Sequence, residues 1–138
     1  MTVKVFDYLP EDAKSVRVNV FIHEQGFLFD YDSTDDVATH IVIYCGKEPV
    51  CTCRIFICDI PGTYILGRLC VLKEYRSRGI GTRMLEEAEK CVKSRGGNAI
   101  ILHSQTHAKF FYEKAGYEEY GKVEFEQGQP HIWMKKIF

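Results

Sequence analysis

The sequence lacks the segments that mark secreted or membrane-spanning proteins. No apolar stretch approaches the ~20 residues that a helix needs to cross a bilayer. Residues 1–16 contain no uninterrupted apolar segment of the secretory-signal kind. We therefore expect a cytoplasmic protein that does not bind membranes.

The chain also lacks an excess of charge of either sign. Its 18 Lys and Arg residues nearly balance its 19 Asp and Glu residues, giving a formal net charge of -1. Proteins that bind nucleic acid usually carry a clear basic excess, so we expect no nucleic-acid partner. The chain has 138 residues, 46% of them hydrophobic. This is enough for one core, and we predict one domain over residues 1–138.

Metal-ligand spacing is absent as well. The six cysteines include no C-x2-C pair and no pair of histidines lies at a matching distance, so we predict no metal site. Several cysteines stand in segments with strand-like sequence, where a thiol packs as a small hydrophobic group. We expect reduced, buried thiols at Cys45, Cys51, Cys53, Cys58, Cys70 and Cys91.

What the sequence contains is a regular succession of strand and helix patterns. Alternating β-formers, apolar residues at helical spacing, and glycine or proline at segment ends predict the order β-α-βββ-α-β-α-ββ. This order is typical of an α+β sheet with helices on its faces. The predicted strands are 3–8, 39–45, 50–58, 63–72, 98–104, 117–126 and 131–136, and the predicted helices are 10–24, 79–95 and 106–115.

One short segment, Arg76-Ser77-Arg78-Gly79-Ile80-Gly81, joins a predicted strand to a predicted helix. The N-terminus of a helix offers unpaired backbone N–H groups and the positive end of a dipole, which together attract phosphate. Glycine lets an anion approach that backbone, and arginine adds positive charge. The segment therefore predicts a phosphate site, although a tight strand-to-helix turn would also explain the glycines.

This segment resembles the Arg/Gln-x-x-Gly-x-Gly/Ala signature of the GCN5-related N-acetyltransferases (GNAT). A second block, "SQTHAKFFYEKAGYEEYG" at residues 104–121, is similar to that family's Asn-x-x-Ala-x-x-Phe-Tyr-x-Lys-x-Gly-Phe pattern. The resemblance implies the acyl-CoA N-acyltransferase fold, a mixed and mostly antiparallel sheet of six or seven strands. It also implies an enzyme that moves an acetyl group from acetyl-CoA to a primary amine of a small molecule, through a tetrahedral intermediate.

The resemblance further implies where the cofactor lies. Its pyrophosphate would contact the N–H groups of residues 78–82, and a bulged strand, splayed from its neighbour, would offer backbone groups at 69–71 to pantetheine and to the oxyanion. The residues expected to bind the cofactor are Leu69, Cys70, Val71, Arg76, Arg78, Gly79, Ile80, Gly81, Thr82, Gln105, Ala108, Phe111 and Tyr112.

Three residues are candidates for proton transfer. By the family pattern, the hydroxyl of Tyr112 approaches the sulfur of CoA, where a phenol can donate a proton. His131 follows Pro130 and precedes Met134, which resembles the Pro-His-x-x-Met context of the base in glyphosate N-acetyltransferase. An ordinary imidazole is suited to that task. Glu24 resembles an acidic residue often placed beside the acceptor pocket and is the competing base.

The acceptor is less well specified by the sequence. Arg17, Glu24, Arg68 and His131 are the predicted substrate contacts. The acidic segment 29–36 is predicted to be a surface loop. Its aspartates favour a cationic acceptor such as a polyamine or amino sugar, or they form an ordinary solvated face. His103 and His107 are predicted to lie at the cofactor rim or on the surface.

Other functions and assemblies stay open at this point. A CoA-binding module without catalytic activity and a peptide or protein N-acetyltransferase are the alternatives to a small-molecule enzyme. The aromatic residues of 27–31 and Trp133 would form either a pocket wall or the surface of a homodimer.

Overall fold

A computed structural model describes residues 1–138 and contains one seven-stranded sheet. The strand order is β1-β2-β3-β4-β5-β7-β6, and every neighbouring pair is antiparallel except β4 and β5, which are parallel. The predicted mixed, mostly antiparallel sheet is therefore confirmed. The strands are β1 Thr2–Phe6, β2 Thr39–Cys45, β3 Glu48–Ile57, β4 Thr63–Val71, β5 Ala99–Gln105, β6 Glu118–Glu126 and β7 Gln129–Ile137.

Three α-helices accompany the sheet, and the first differs from its prediction. Instead of one helix to residue 24, α1 ends at Arg17 and the chain continues as a wider π-helix over Val18–Glu24. π-helical turns often occur at functional sites. The α-helices are α1 Glu11–Arg17, α2 Ile80–Ser94 and α3 Lys109–Lys114, and short 3-10 turns cover Ser33–Asp36, Lys73–Tyr75 and Thr106–Ala108. No helix is both long and apolar enough to cross a membrane.

The helices cover opposite faces of the sheet. Successive side chains of β2 alternate between faces. Val42 packs with Ala13 of α1, whereas Ile41 and Ile43 join the larger core that includes Met84 of α2. The face covered by α1 is called the α1 face below, and the face covered by α2 and α3 the α2 face.

The sheet opens between β4 and β5. These strands pair only from Thr63–Leu66 to Ala99–Leu102, and beyond that point no ladder joins them. In β4 the register against β3 shifts at the same place, where Arg68 adopts a left-handed backbone with φ 52°. The extra residue is a β-bulge, which bends the strand away from its neighbour. The bulge and splay implied by the resemblance are both present.

Two loops differ from their predictions. The predicted strands leave residues 127–130 between them, whereas the β6–β7 turn consists of Gln127 and Gly128 alone, which both have positive φ, and β7 begins at Gln129. Positive φ at both positions suits the right-handed twist of a hairpin. The acidic segment is not simply a surface loop, because Ser33–Asp36 is helical and Asp35 is fully buried.

The cysteines divide into two groups, and no disulfide is formed. Cys51, Cys53 and Cys70 are buried, and burial raises the pKa of each thiol. The other three are only partly buried, so the expectation of burial is wrong for Cys45, Cys58 and Cys91.

Candidate active site

A cavity of about 450 Å³ lies on the α1 face of the sheet and reaches into the gap between β4 and β5. Its walls come from the π-helix, the loop over 27–32, strands β3 to β5, β7 and the segment around Tyr112. The backbone of β4 that faces β5 beyond Leu66 has no strand partner. The cavity thus brings unpaired backbone groups and side chains from both sequence blocks to one place.

The predicted phosphate loop stands at the N-terminus of α2. Gly79 caps the helix with φ 79°, a left-handed conformation in which glycine carries no steric cost. No side chain caps the first turn, so its N–H groups are free for an anion. Gly81 has a second reason to be glycine, because a Cβ there would stand 3.1 Å from the ring of Phe111. The structure thus explains both glycines locally, by a turn at Gly79 and a helix contact at Gly81, and anion access stays a prediction.

The two arginines of this loop are held by protein groups. Arg76 forms two hydrogen bonds of 2.6 Å to the carboxylate of Glu24 and donates from Nε to the carbonyl of Val71. Its hydrogen bonds lower the pKa of Glu24. The guanidinium of Arg78 lies over the ring of Tyr75. Glu24 does not line the cavity, whereas its partner Arg76 does; its role as a base or substrate contact stays a prediction.

Tyr112 lies on α3 and lines the cavity from the α2 face of the sheet. Its side chain is buried, and this burial raises the pKa of the phenol well above its usual value. A phenol with raised pKa stays protonated at neutral pH. The geometry therefore preserves a hydroxyl donor at the end of the cavity nearest the second sequence block.

His131 lies at the start of β7 and is 5% exposed. Its Nδ1 is 2.8 Å from the carbonyl oxygen of Gln129, so Nδ1–H donates to that oxygen. In the neutral ring this leaves Nε2 with a lone pair. Nε2 makes no hydrogen bond to the protein and lies 3.4 Å from Oε2 of Glu126. A lone pair held in a cavity is what a general base requires.

His103 and Glu126 complete this corner, and the sequence reasoning missed their arrangement. His103 lines the cavity and is not a surface residue, since its side chain is only 12% exposed. It is stacked against Trp133, with 4.6 Å between ring centroids, and lies 5.0 Å from the ring of His131. Its Nδ1 is 3.0 Å from Oε1 of Glu126. Strand alternation indicates that His103 and Gln105 share one face of β5, and that His131 and Trp133 share one face of β7. The register of the two strands, which pairs His103 with Trp133 and Gln105 with His131, brings them into one cluster.

A family model described as an acetyltransferase (GNAT) domain matches residues 13–138. The chain belongs to the GNAT acetyltransferase family. It is similar to YjcF of Bacillus subtilis (strain 168), an N-acetyltransferase described as uncharacterized, with 38% identity over 129 residues and 91% of each chain covered. The protein is thus an acyltransferase.

Solved structures agree with the fold of this GNAT protein. Escherichia coli ElaA aligns with a TM-score of 0.86, 23% identity and 98% coverage of both chains. An aminoglycoside 6'-N-acetyltransferase complexed with coenzyme A aligns with a TM-score of 0.76, 21% identity, and coverage of 99% of this chain and 97% of that one. At these identities the likeness establishes the fold.

Three arginines of this GNAT protein are paired with three aspartates of the acidic segment. Each arginine comes from a different element, α1, β3 or the β4 bulge, and all three reach the same loop. The closest contacts are Arg17 to Asp35 at 2.7 Å, Arg17 to Asp30 at 2.8 Å, Arg54 to Asp32 at 2.6 Å, Arg54 to Asp35 at 2.9 Å and Arg68 to Asp30 at 3.2 Å. The loop is therefore fastened to the sheet by buried and half-buried ion pairs.

This network changes two expectations. Arg17 is 1% exposed, does not line the cavity and is bound by Asp30 and Asp35, so the structure does not bring it together with the other predicted substrate contacts. Arg68 does line the cavity, but it too donates to Asp30 and Asp32. The aspartates at 30, 32 and 35 are neutralised, so they do not supply the free negative charge expected for a cationic acceptor.

Two amide side chains that line the cavity of the GNAT protein, Gln105 and Gln127, form hydrogen bonds between different elements of its wall. Gln105, a predicted cofactor contact, donates from Nε2 to Oε1 of Gln25 at 2.9 Å. At the mouth, Gln127 accepts a hydrogen bond from the N–H of Leu28 and donates to the carbonyl of Phe29. The second arrangement, here called the Gln127 clasp, joins the β6–β7 turn to the loop over 27–32.

The remaining predicted residues fall on or beside the cavity. Leu69, Cys70, Val71, Ala108 and His107 line it, whereas Phe111 packs on Gly81 and Ile80 is buried in the core. Trp133 is a cavity wall. No group of three His, Cys, Asp or Glu side chains is arranged to hold a metal ion.

Proposed function

We propose that this GNAT enzyme transfers the acetyl group of acetyl-CoA to a primary amine of a small molecule, by direct attack of the amine on the thioester. One observation supports the proposal most directly: the cavity passes from the α1 face of the sheet into the β4–β5 gap and is lined by both His131 and Tyr112. A base on one side and a hydroxyl donor on the other are what direct transfer needs.

The residues present fit the cofactor. The first turn of α2 offers N–H groups without a side-chain cap, at Ile80, Gly81 and Thr82, for a pyrophosphate. The backbone of β4 at Leu69–Val71 has no strand partner on the β5 side and suits the amide groups of a pantetheine arm, although the carbonyl of Val71 already accepts from Arg76. When bound there, acetyl-CoA supplies an activated acetyl thioester.

His131 removes the proton that the acceptor amine must lose. An alkylamine has a pKa of about 10.4 and is mostly protonated at neutral pH. The Nδ1–H···O=C bond to Gln129 fixes the ring so that Nε2 is the basic atom. As the amine attacks, a backbone N–H of β4 near Val71 stabilises the oxyanion, since a donor fixed in a strand needs no reorganisation.

Tyr112 serves the departing sulfur. Because burial raises its pKa, Tyr112 is a weaker acid than a free thiol, whose pKa is about 8.5. Its main contribution is therefore a hydrogen bond to the developing thiolate. The same buried surroundings disfavour the CoA thiolate and so raise the pKa of its thiol. This brings the two pKa values closer and allows the hydroxyl proton of Tyr112 to pass to the sulfur.

The Gln127 clasp favours a small acceptor over a peptide. Its two hydrogen bonds draw the β6–β7 turn and the loop over 27–32 together at the mouth of the cavity. An extended peptide requires an open groove, whereas a small amine needs only the cavity of about 450 Å³.

The experiment is a screen of amines with acetyl-CoA, followed by mass spectrometry of the acetylated product. Wild type is compared with His131→Ala and with His23→Ala, a control histidine that is exposed and lies outside this cavity. At saturating acetyl-CoA, His131→Ala should lower kcat by about 10²–10⁴-fold, the usual contribution of a positioned base. Equal turnover by His131→Ala and wild type would remove His131 from the mechanism. Absence of binding to acetyl-CoA would overturn the proposal itself.

A further inference from the structure

The charge balance of the α1 face leaves two carboxylates, at Glu124 and Glu126, that no Lys or Arg neutralises. Arg17, Arg54 and Arg68 are matched by the three aspartates described above. Around His131 two further carboxylates remain, Glu126 and Glu124, and no Lys or Arg is paired with either. Even with one neighbouring imidazole protonated, this corner keeps a net negative charge.

Glu126 is held in a defined orientation. Its Oε1 accepts a hydrogen bond from Nδ1–H of His103 at 3.0 Å, and the His103 ring is fixed in turn by stacking on Trp133. Its Oε2 lies 3.4 Å from Nε2 of His131. When His131 is neutral, that contact joins two acceptors, since Nδ1–H is already committed to Gln129. Two acceptors this close are stabilised by a donor placed between them.

We propose that Glu126 and His131 together form the receptor for the acceptor's ammonium group, that Glu126 selects cationic over anionic acceptors, and that His103 is the positioning residue for Glu126. This inference rests on the proposed function and specifies its substrate class. An ammonium carries three N–H donors and satisfies Nε2 and Oε2 at once. The walls beside it are aromatic, including Phe56 and Trp133, and suit an apolar or aromatic amine whose only charge is that ammonium.

Trp133 makes the proposal testable without turnover. It is the only tryptophan of the chain and lines the cavity, so intrinsic fluorescence reports on occupancy of this corner. Full-length protein, with CoA present, is titrated with 2-phenylethylamine and, separately, with phenylalanine, which differs by one carboxylate. We expect saturable binding of 2-phenylethylamine, and binding of phenylalanine that is weaker by about tenfold or more. Equal or tighter binding of phenylalanine, or no binding of either probe, would overturn the proposal.

Variants test the two side chains separately. Glu126→Gln should weaken binding of 2-phenylethylamine by about tenfold, the cost of a charge-assisted hydrogen bond, and should reduce the preference over phenylalanine. The matched control is Glu118→Gln, which removes the same charge from an exposed position of the same strand. Wild-type affinity and preference in Glu126→Gln would contradict the proposal.

His103 is tested by a conservative rescue. His103→Phe keeps an aromatic ring on Trp133 but removes the donor to Glu126, whereas His103→Asn keeps a donor near the position of Nδ1. Weaker ammonium binding in His103→Phe and its recovery in His103→Asn would support a positioning role. Wild-type binding in His103→Phe with a loss in His103→Asn would assign His103 to packing on Trp133 alone. Equal loss in both variants would show that a donor near Nδ1 is not what matters, and either result would overturn this part of the proposal.

Failure here is distinguishable from failure of the proposed function. Binding of CoA is followed by thermal unfolding, which does not depend on the acceptor. A protein that binds CoA and acetylates amines irrespective of their charge would refute the Glu126 receptor and leave the acetyltransferase intact.

Discussion

Arg17 and Asp35 face each other across 2.7 Å, and the exposed fraction of their side chains is 1% and 0%. Breaking a buried pair leaves the other charge uncompensated, which costs about 3–5 kcal/mol. In Asp35→Asn, however, Arg17 keeps Asp30 and Arg54 keeps Asp32 as partners. The variant should therefore lower the free energy of unfolding by about 1.5–3 kcal/mol, the range for a lost hydrogen bond to a charged group, measured by urea denaturation. Asp59→Asn, an exposed aspartate without an ion pair, is the control and should change it by less than about 0.5 kcal/mol. Equal stability of the two variants would contradict the importance of the pair.

The same network predicts how stability depends on pH. Burial alone would raise the pKa of Asp35, but the hydrogen bonds from Arg17 and the backbone of Asp32 lower it overall, below its ordinary value of 3.8. Hydrogen bonding by Arg54 likewise lowers the pKa of Asp32. A carboxyl whose folded-state pKa is depressed contributes stability above its unfolded pKa and loses it as the pH falls further. We expect stability to decline below about pH 4, as measured by unfolding at stepwise lower pH.

Asp35→Asn provides the control for this pH dependence. The variant has no carboxyl to protonate at that position, so its stability should fall less steeply between about pH 4 and pH 2 than that of wild type. Parallel curves for the two proteins would show that other carboxyls dominate acid unfolding.

Much of the architecture could be predicted from the sequence, for a physical reason. The buried strand at 98–104 and the helix at 79–95 were predicted within a residue or two of β5 and α2, because strong periodicity and glycine stops define them locally. The first helix was predicted less well, since nothing local distinguishes the α-helical turns before Arg17 from the π-helical turns after it. That change depends on packing against the sheet.

The candidate site was harder to predict than the fold. The backbone elements around Gly79 followed from a motif, because glycine spacing reflects local geometry. The partners of Arg17 and Glu24 lie far along the chain, and their charges alone did not indicate whether each meets a ligand or another side chain. The same holds for His103, whose role depends on a strand register invisible in the sequence.

Gly81 is expected to be coupled to Phe111. A Cβ at position 81 would stand 3.1 Å from the Phe111 ring, so Gly81→Ala must displace that side chain at a cost of about 1–3 kcal/mol. In a Phe111→Leu background the cost should be smaller. Unfolding of the two single variants and the double variant measures this coupling.

Gly79→Ala is the control for that cycle. Its Cβ would meet nothing within 4 Å, and its cost comes only from the left-handed backbone. The cost should therefore be the same with Phe or Leu at position 111. A Gly81→Ala cost that is likewise independent of position 111 would disprove the contact.

Glu24 is expected to act on the cofactor loop and not on the acceptor proton. Its carboxylate is bound by Arg76 and lies outside the cavity. Glu24→Gln should leave kcat within about threefold of wild type, far from the 10²-fold or greater loss expected for a missing base. Because Arg76 is released, the KM for acetyl-CoA should change more than kcat. A large fall of kcat with unchanged KM for acetyl-CoA would restore Glu24 as the base.

Gln127 is expected to control access to the cavity through two hydrogen bonds, from the N–H of Leu28 at 3.0 Å and to the carbonyl of Phe29 at 3.2 Å. Gln127→Ala removes both bonds, and hydrogen exchange at the Leu28 amide should become faster. The Phe27 amide, bonded to the carbonyl of Phe21, is an internal control and should keep its protection. Because the clasp is exposed, global stability should change by less than about 1 kcal/mol. Because the mouth of the cavity is then less restricted, turnover of a short peptide amine should rise relative to that of a small amine. Unchanged hydrogen exchange at the Leu28 amide would show that the clasp does not persist in solution.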